Sequence, residues 1–87
     1  MYQQTSKIAY DSVKDKVTKT QNTIYMALRR IGPANNRMLA EATNLPINCV
    51  TPRVHELRGK RLVVQTETKI DIVTKRPTIF WDIARND

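Results

Sequence analysis

The 87-residue sequence has one cysteine, one histidine, two glycines and few aromatic residues, and each scarcity removes a class of protein. Cys49 alone can neither close an internal disulfide nor build a cysteine-rich metal cage, which fits a reducing compartment and a small packed side chain. His55 has no second histidine or cysteine partner for zinc, and Glu56 beside it on a helix points elsewhere rather than completing a catalytic dyad. With only Gly32 and Gly59 there is no glycine-rich loop to cradle a nucleotide phosphate. No apolar run approaches the roughly 20 residues that span a bilayer. The start, Met1-Tyr2-Gln3-Gln4-Thr5, lacks the charged and apolar regions of a secretory signal. The expectation is a cytoplasmic chain that is not an enzyme, takes no cofactor or metal, and has no membrane partner.

Apolar residues make up 40% and charged residues 26%, the balance of an ordinary folded domain, and a chain of this length builds one modest core. Positive charge dominates: 15 Lys and Arg against 8 Asp and Glu leave +7. Such an excess draws polyanions, nucleic acid first among them. Its distribution is uneven. Between Thr51 and Arg76 lie Arg53, Arg58, Lys60, Arg61, Lys69, Lys75 and Arg76 against Glu56, Glu67 and Asp71, a net +4 in that stretch.

Periodicity divides the chain further. Residues 1–17 form an N-terminal extension in which Ile8, Ala9, Val13 and Val17 are spaced for a short amphipathic helix, and residues 18–87 form the main domain. After Thr18 and Thr20, either of which can cap a helix, Ile24, Leu28 and Ile31 recur at i, i+4 and i+7 until Gly32-Pro33 stops the pattern. A second helix is expected from Asn35 or Asn36, with Met38, Leu39 and Ala42 inward, ending at Thr43-Asn44. Leu45-Pro46-Ile47 makes a tight connection, and Val50, Val54 and Leu57 mark the buried side of a third helix that fades at Gly59. Pro52 lacks a backbone donor and belongs in a first turn, so that helix starts either near Asn48 or at Pro52 behind a Thr51 cap. Beyond it the period becomes that of strands: Leu62-Val63-Val64 and Ile70 to Val73 are β-branched, and Ile79, Trp81 and Ile83 alternate with Phe80 and Asp82. A polar, basic connection, Gln65 to Pro77, is expected between the two strands of a hairpin. Trp81 and Tyr25 are assigned to the core. The fold class is thus mainly α with a β-hairpin, in the order of a winged helix-turn-helix: a three-helix core, a two-stranded wing and an extra N-terminal helix.

The residues themselves carry a resemblance. Gly32 to Pro46, with Leu39-Ala40-Glu41-Ala42-Thr43-Asn44-Leu45, resembles the first helix of the helix-turn-helix in many bacterial regulators. Leu45-Pro46-Ile47-Asn48, Val50-Thr51-Pro52-Arg53-Val54, Glu56-Leu57-Arg58 and Leu62-Val63 are similar to a group of small winged-helix proteins of phages and prophages. Ala9-Tyr10 and the tryptophan strand Ile79-Phe80-Trp81 extend the likeness from about residue 9 to 84. The wing departs from it: Thr74-Lys75-Arg76 has lysine where that group often has glycine, so a different turn is expected. The resemblance implies DNA binding and no particular role; the function expected from the third-helix face and the basic wing is that of a double-stranded DNA binder, a phage-type regulator of transcription or an accessory of replication or recombination.

A helix advances about 100° per residue. With Val50, Val54 and Leu57 inward, the outer arc of helix 48–60 therefore carries Asn48, Pro52, His55 and Glu56, flanked by Thr51, Arg53 and Arg58. These side chains suit the edges of base pairs: Asn for adenine, Arg for guanine, Thr for polar edges or a thymine methyl, Glu for the cytosine amine. In the wing, 65–78, Lys69, Lys75 and Arg76 are placed for phosphates or the minor groove. Asn35, Asn36 and Arg37 open the second helix, where backbone donors and short polar side chains meet phosphate, with simple capping an equal reading for the two asparagines. The competing reading is a winged helix that serves as a protein adaptor or inhibitor of a host protein, since a fold does not dictate its function. RNA is a weaker candidate, with no aromatic-rich exposed sheet in view. A homodimer through residues 1–17 stays open, and with it the symmetry of the DNA site.

Overall fold

Helix α1, Lys19–Ile31, begins where a capping box is complete, and the computed structural model describes the chain from residue 17 to residue 85. The Thr18 hydroxyl accepts from the Gln21 amide N–H while the Gln21 side chain accepts from the Thr18 N–H, both at 3.1 Å. Two amides that the helix itself leaves unpaired are thereby satisfied. The helix ends at Gly32, whose N–H bonds the Leu28 carbonyl and whose φ of 82° lies in the region that glycine enters without strain. Ile24, Tyr25, Ala27 and Leu28 are buried. Ile31, expected inward, is 40% exposed, because the chain turns away at Gly32 before another element can cover it.

Helix α2, Asn36–Thr43, is capped by Asn35 Oδ1, which accepts from the Met38 N–H at 2.8 Å. It closes at Asn44, a left-handed residue with φ 60°. Leu39 is its fully buried residue, with Met38 and Ala40 packed partly against the core. Ala42 is exposed, contrary to the sequence expectation, since two turns bury only a narrow stripe and Ala40 falls closer to it.

After Leu45 and Pro46, helix α3 runs Ile47–Gly59 with Val50, Val54 and Leu57 at 0%, 1% and 0% exposure. The burial of these three is as the spacing predicts. The helix starts at the earlier of the two expected places, which puts Pro52 at its sixth residue rather than in the first turn. At that position proline removes one i to i−4 hydrogen bond, the one the carbonyl of exposed Asn48 would accept.

Strand β1, Val63–Ile70, pairs antiparallel with β2, Pro77–Ile83. The register shifts between Gln65 and Glu67, where Thr66 donates its hydroxyl to the Phe80 carbonyl at 3.1 Å. Gln65 to Pro77 is therefore not one long loop. Its first part, Gln65 to Ile70, belongs to β1, and the true turn is confined to 71–76. Only Val63 of β1 is buried, because the ribbon projects beyond the helices and offers both faces to water. Strict alternation fails in β2 as well: Phe80 and Trp81 are both buried while Ile79 is 41% exposed. A single-residue bridge pins β2 to the α1–α2 connection, with Ala34 and Trp81 exchanging N–H to carbonyl bonds at 2.9 and 2.8 Å. Lys75 takes a left-handed φ of 64°, so the turn keeps a backbone that glycine favours although lysine occupies it.

One core, built from Ile24, Leu28, Leu39, Val50, Val54, Leu57, Leu62 and Val63 with Tyr25 and Trp81, joins all five elements. No helix among the described residues is long and apolar enough to cross a membrane. The expected N-terminal helix and dimer contact lie on residues 1–17, of which 1–16 fall outside the described residues, while Val17 packs partly against the core.

Candidate nucleic-acid interface

Burying one stripe of α3 leaves the opposite one in water. Asn48, Thr51, Pro52, His55 and Arg58 are all exposed on one side of the helix, in the rows 48, 52, 55 and 51, 55, 58. The Arg58 guanidinium lies 5.7 Å from the centroid of the Trp81 ring, which steadies its stem while the charge stays in solvent.

Two residues expected on that arc are arranged differently. Arg53 grips Glu56 with a two-pronged bond, Nε to Oε1 and a terminal nitrogen to Oε2, both 2.8 Å. Gln21 of α1 donates to the same Oε1 at 2.6 Å. Glu56 thus leans back toward α1 and its carboxylate is engaged by Arg53 and Gln21 rather than standing free on the arc. The Arg53 bond, reinforced by Gln21, lowers the Glu56 pKa, and the same pair raises that of Arg53. Gln21 thereby ties the start of α1 to the third helix, a role that its position inside a capping box gave no reason to suspect.

A second polar network fixes the wing. Asp71, 2% exposed at the start of the turn, accepts from Arg37 Nε at 2.8 Å and from an Arg37 terminal nitrogen at 3.0 Å. Asn35 Nδ2 adds a bond at 3.0 Å and the Thr74 N–H another at 3.1 Å. Arg37 holds the Asp71 carboxyl well below the usual carboxylate range, and its own pKa rises in return. Asn35 also donates to Thr78 at 3.0 Å and is 1% exposed. Its side chain is therefore used inside the protein as cap and brace, the capping role that competed with a phosphate contact for it. Arg37 is likewise shared between Asp71 and Glu41. Asn36 remains near the surface, with Nδ2 3.4 Å from the Thr51 hydroxyl and a buried Oδ1 that has no partner.

The network has a geometric result. The start of α2, the first half of α3 and the base of the wing line one cleft of about 450 Å³ bounded by Asn36, Arg37, Thr51, Thr74 and Thr78, with Trp81 in its wall. Lys75 and Arg76 stand exposed at the end of the wing. Lys69 sits 3.4 Å from Glu67 and over the Phe80 ring at 4.6 Å. Among the described residues no group of three or more His, Cys, Asp or Glu is placed to hold a metal ion.

No family model matches the sequence, and no curated protein matches it. Solved structures do match the fold. The Zα domain of PKZ from Carassius auratus, a structure in complex with Z-DNA, aligns with a TM-score of 0.60 at 17% identity over 79% of this chain and 98% of that one. The adhesin competence repressor of Streptococcus pyogenes gives 0.61 at 27% identity over 88% of this chain and 54% of the repressor. The multiple antibiotic resistance repressor gives 0.62 at 14% identity, covering 94% and 57%. The chain spans a little over half the length of those two repressors. Helix order, the antiparallel hairpin and these likenesses define a winged helix-turn-helix fold.

Proposed function

We infer that this chain binds double-stranded DNA, with the exposed face of α3 in the major groove and the wing on the neighbouring backbone and minor groove. The observation that carries the reading is the solvent-facing stripe Asn48, Thr51, Pro52, His55 and Arg58, standing opposite the buried Val50, Val54 and Leu57. A net charge of +7, with Lys75 and Arg76 at the wing, supplies attraction for phosphate. Winged-helix neighbours add support: a Lactococcus lactis ZitR variant was solved in complex with DNA, and the Zα domain with Z-DNA. Asn48 and Thr51 are the base readers, and Asn36 with the wing cations grips the phosphates. Arg53 reaches a base or phosphate by exchanging its Glu56 partner.

The role that fits is regulation of transcription, and the resemblance of residues 45–63 to small phage and prophage proteins supports a regulator or replication accessory of that kind. A duplex selected by the full chain from random sequence, titrated by fluorescence anisotropy at several salt concentrations, tests the reading. Affinity should fall linearly in log–log form with added salt, and Asn48→Ala should cost about 1–3 kcal/mol at one base position. Binding insensitive to both refutes it. Retention of one stoichiometric protein with no duplex bound would favour the adaptor reading instead.

A further inference from the structure

The end of the wing is apolar where turns are ordinarily polar. Ile72 is 82% exposed, Val73 is 64% exposed, and Ile70 just before them is 57% exposed. Nothing in the core uses these side chains, and a contiguous exposed apolar group marks a contact surface more often than a lone exposed leucine does. Their base is rigid. The Asp71 N–H bonds the Arg76 carbonyl at 2.9 Å, and the Lys75 N–H bonds the Asp71 carbonyl at 2.8 Å. The Asp71 side chain is in turn fastened to Arg37 and Asn35 on α2. A short four-residue tip, Ile72 to Lys75, is therefore presented from a fixed point. Both β-branched side chains are stiff at χ1 and lose little freedom when they are inserted into a partner.

Charge selects the occupant. The pair is bracketed by Lys69 before it and by Lys75 and Arg76 after it, so a partner must combine apolar surface with closely spaced negative charge. The minor groove of a duplex has that character: phosphates along both rims and base faces between them once a step is opened. Position agrees, because one cleft connects the first half of α3 to the base of this turn. We propose that Ile72 and Val73 form a wedge that enters the minor groove of the bound duplex and partly unstacks one base step, while Lys75 and Arg76 hold the adjoining phosphates. This rests on the reading of α3 as the major-groove helix. Insertion of this kind kinks DNA toward the major groove, and it selects easily unstacked pyrimidine–purine steps at a position no polar side chain reads.

The experiment uses the full chain with a duplex that it has selected from random sequence, labelled at both ends for energy transfer and carrying 2-aminopurine at the step facing the wing. The wild-type chain should shorten the end-to-end distance and raise the aminopurine signal. Ile72→Ala with Val73→Ala should abolish both and weaken binding about tenfold, with thermal unfolding and the salt slope unaltered. Lys75→Gly with Arg76→Ala should reduce the salt slope but leave the bound duplex bent. A duplex that is bound but stays straight, or the same bend with Ile72→Ala and Val73→Ala, overturns the wedge alone. Failure of the wild-type chain to bind any duplex overturns the α3 reading and the wedge together. Capture by phosphatidylglycerol vesicles that these two substitutions abolish, with DNA affinity unchanged, would make the tip a lipid contact and also overturn the wedge.

Discussion

Replacing Pro52 by alanine should make the protein more stable, an unusual direction for a substitution in a helix proposed to read DNA. Pro52 is the sixth residue of α3, and its nitrogen cannot donate to the carbonyl of Asn48, which begins the same turn. A proline inside a helix costs about 3 kcal/mol relative to alanine. Two terms reduce that figure here. Asn48 is exposed and lies in the first turn, so the turn can pivot away from the proline ring. Alanine also loosens the unfolded chain, returning about 0.4–1 kcal/mol. The net gain is about 2 kcal/mol, which for a domain of this size raises Tm by roughly 8–16 °C. Calorimetry or thermal circular dichroism measures it directly. Duplex affinity measured alongside should fall, because the N-terminal part of α3 would no longer carry Asn48 and Thr51 at their present angle. A Tm that is unchanged or lower would refute the assignment of Pro52 to the helix interior.

Acid should destabilise the domain through Asp71, whose carboxyl is depressed by Arg37 in the folded state and ordinary in the unfolded one. The unfolded chain takes up that proton first, so stability is full above about pH 5 and declines as pH falls through 4 toward 2. Denaturant midpoints across that range should show the decline, and Asp71→Asn should flatten it. Leu57→Ala, at a site with no solvent exposure, should cost about 2–5 kcal/mol, read as a lower urea midpoint with a similar slope. Glu56→Gln removes the charged partner of Arg53 and should tighten DNA binding while steepening the log–log salt dependence by about one. Weaker binding by this variant would show that Glu56 itself meets a base.

The sequence made the helical core legible because each helix buries a stripe against a common centre and announces its ends. Thr18, Gly32, Asn35 and Asn44 all act at termini where short polar side chains or glycine satisfy stranded backbone groups. The inner residues of α3 could be named from spacing alone. The wing was harder to read. A two-stranded ribbon with both faces in water has no apolar alternation, so Gln65 to Lys69 looked like loop although they are paired strand. Asp71 was hidden for the opposite reason. An acid in a basic, polar stretch reads as solvated, and its burial depends on Arg37 and Asn35, more than thirty residues earlier. The hint available was its setting between Ile70 and Ile72, a lone charge in an apolar run. At the site, helical spacing placed the outer face well but could not say that Arg53 and Gln21 draw Glu56 away from it.

Amide and methyl NMR shifts of the labelled chain, followed as a selected duplex is added, test the placement of DNA across α3 and the wing. The account predicts that the largest changes fall on Asn48, Thr51, His55 and Arg58 together with Ile72 to Arg76, while the exposed side of α1 around Met26, Arg29 and Arg30 stays still. Changes centred on that side of α1, with the α3 stripe silent, would contradict it.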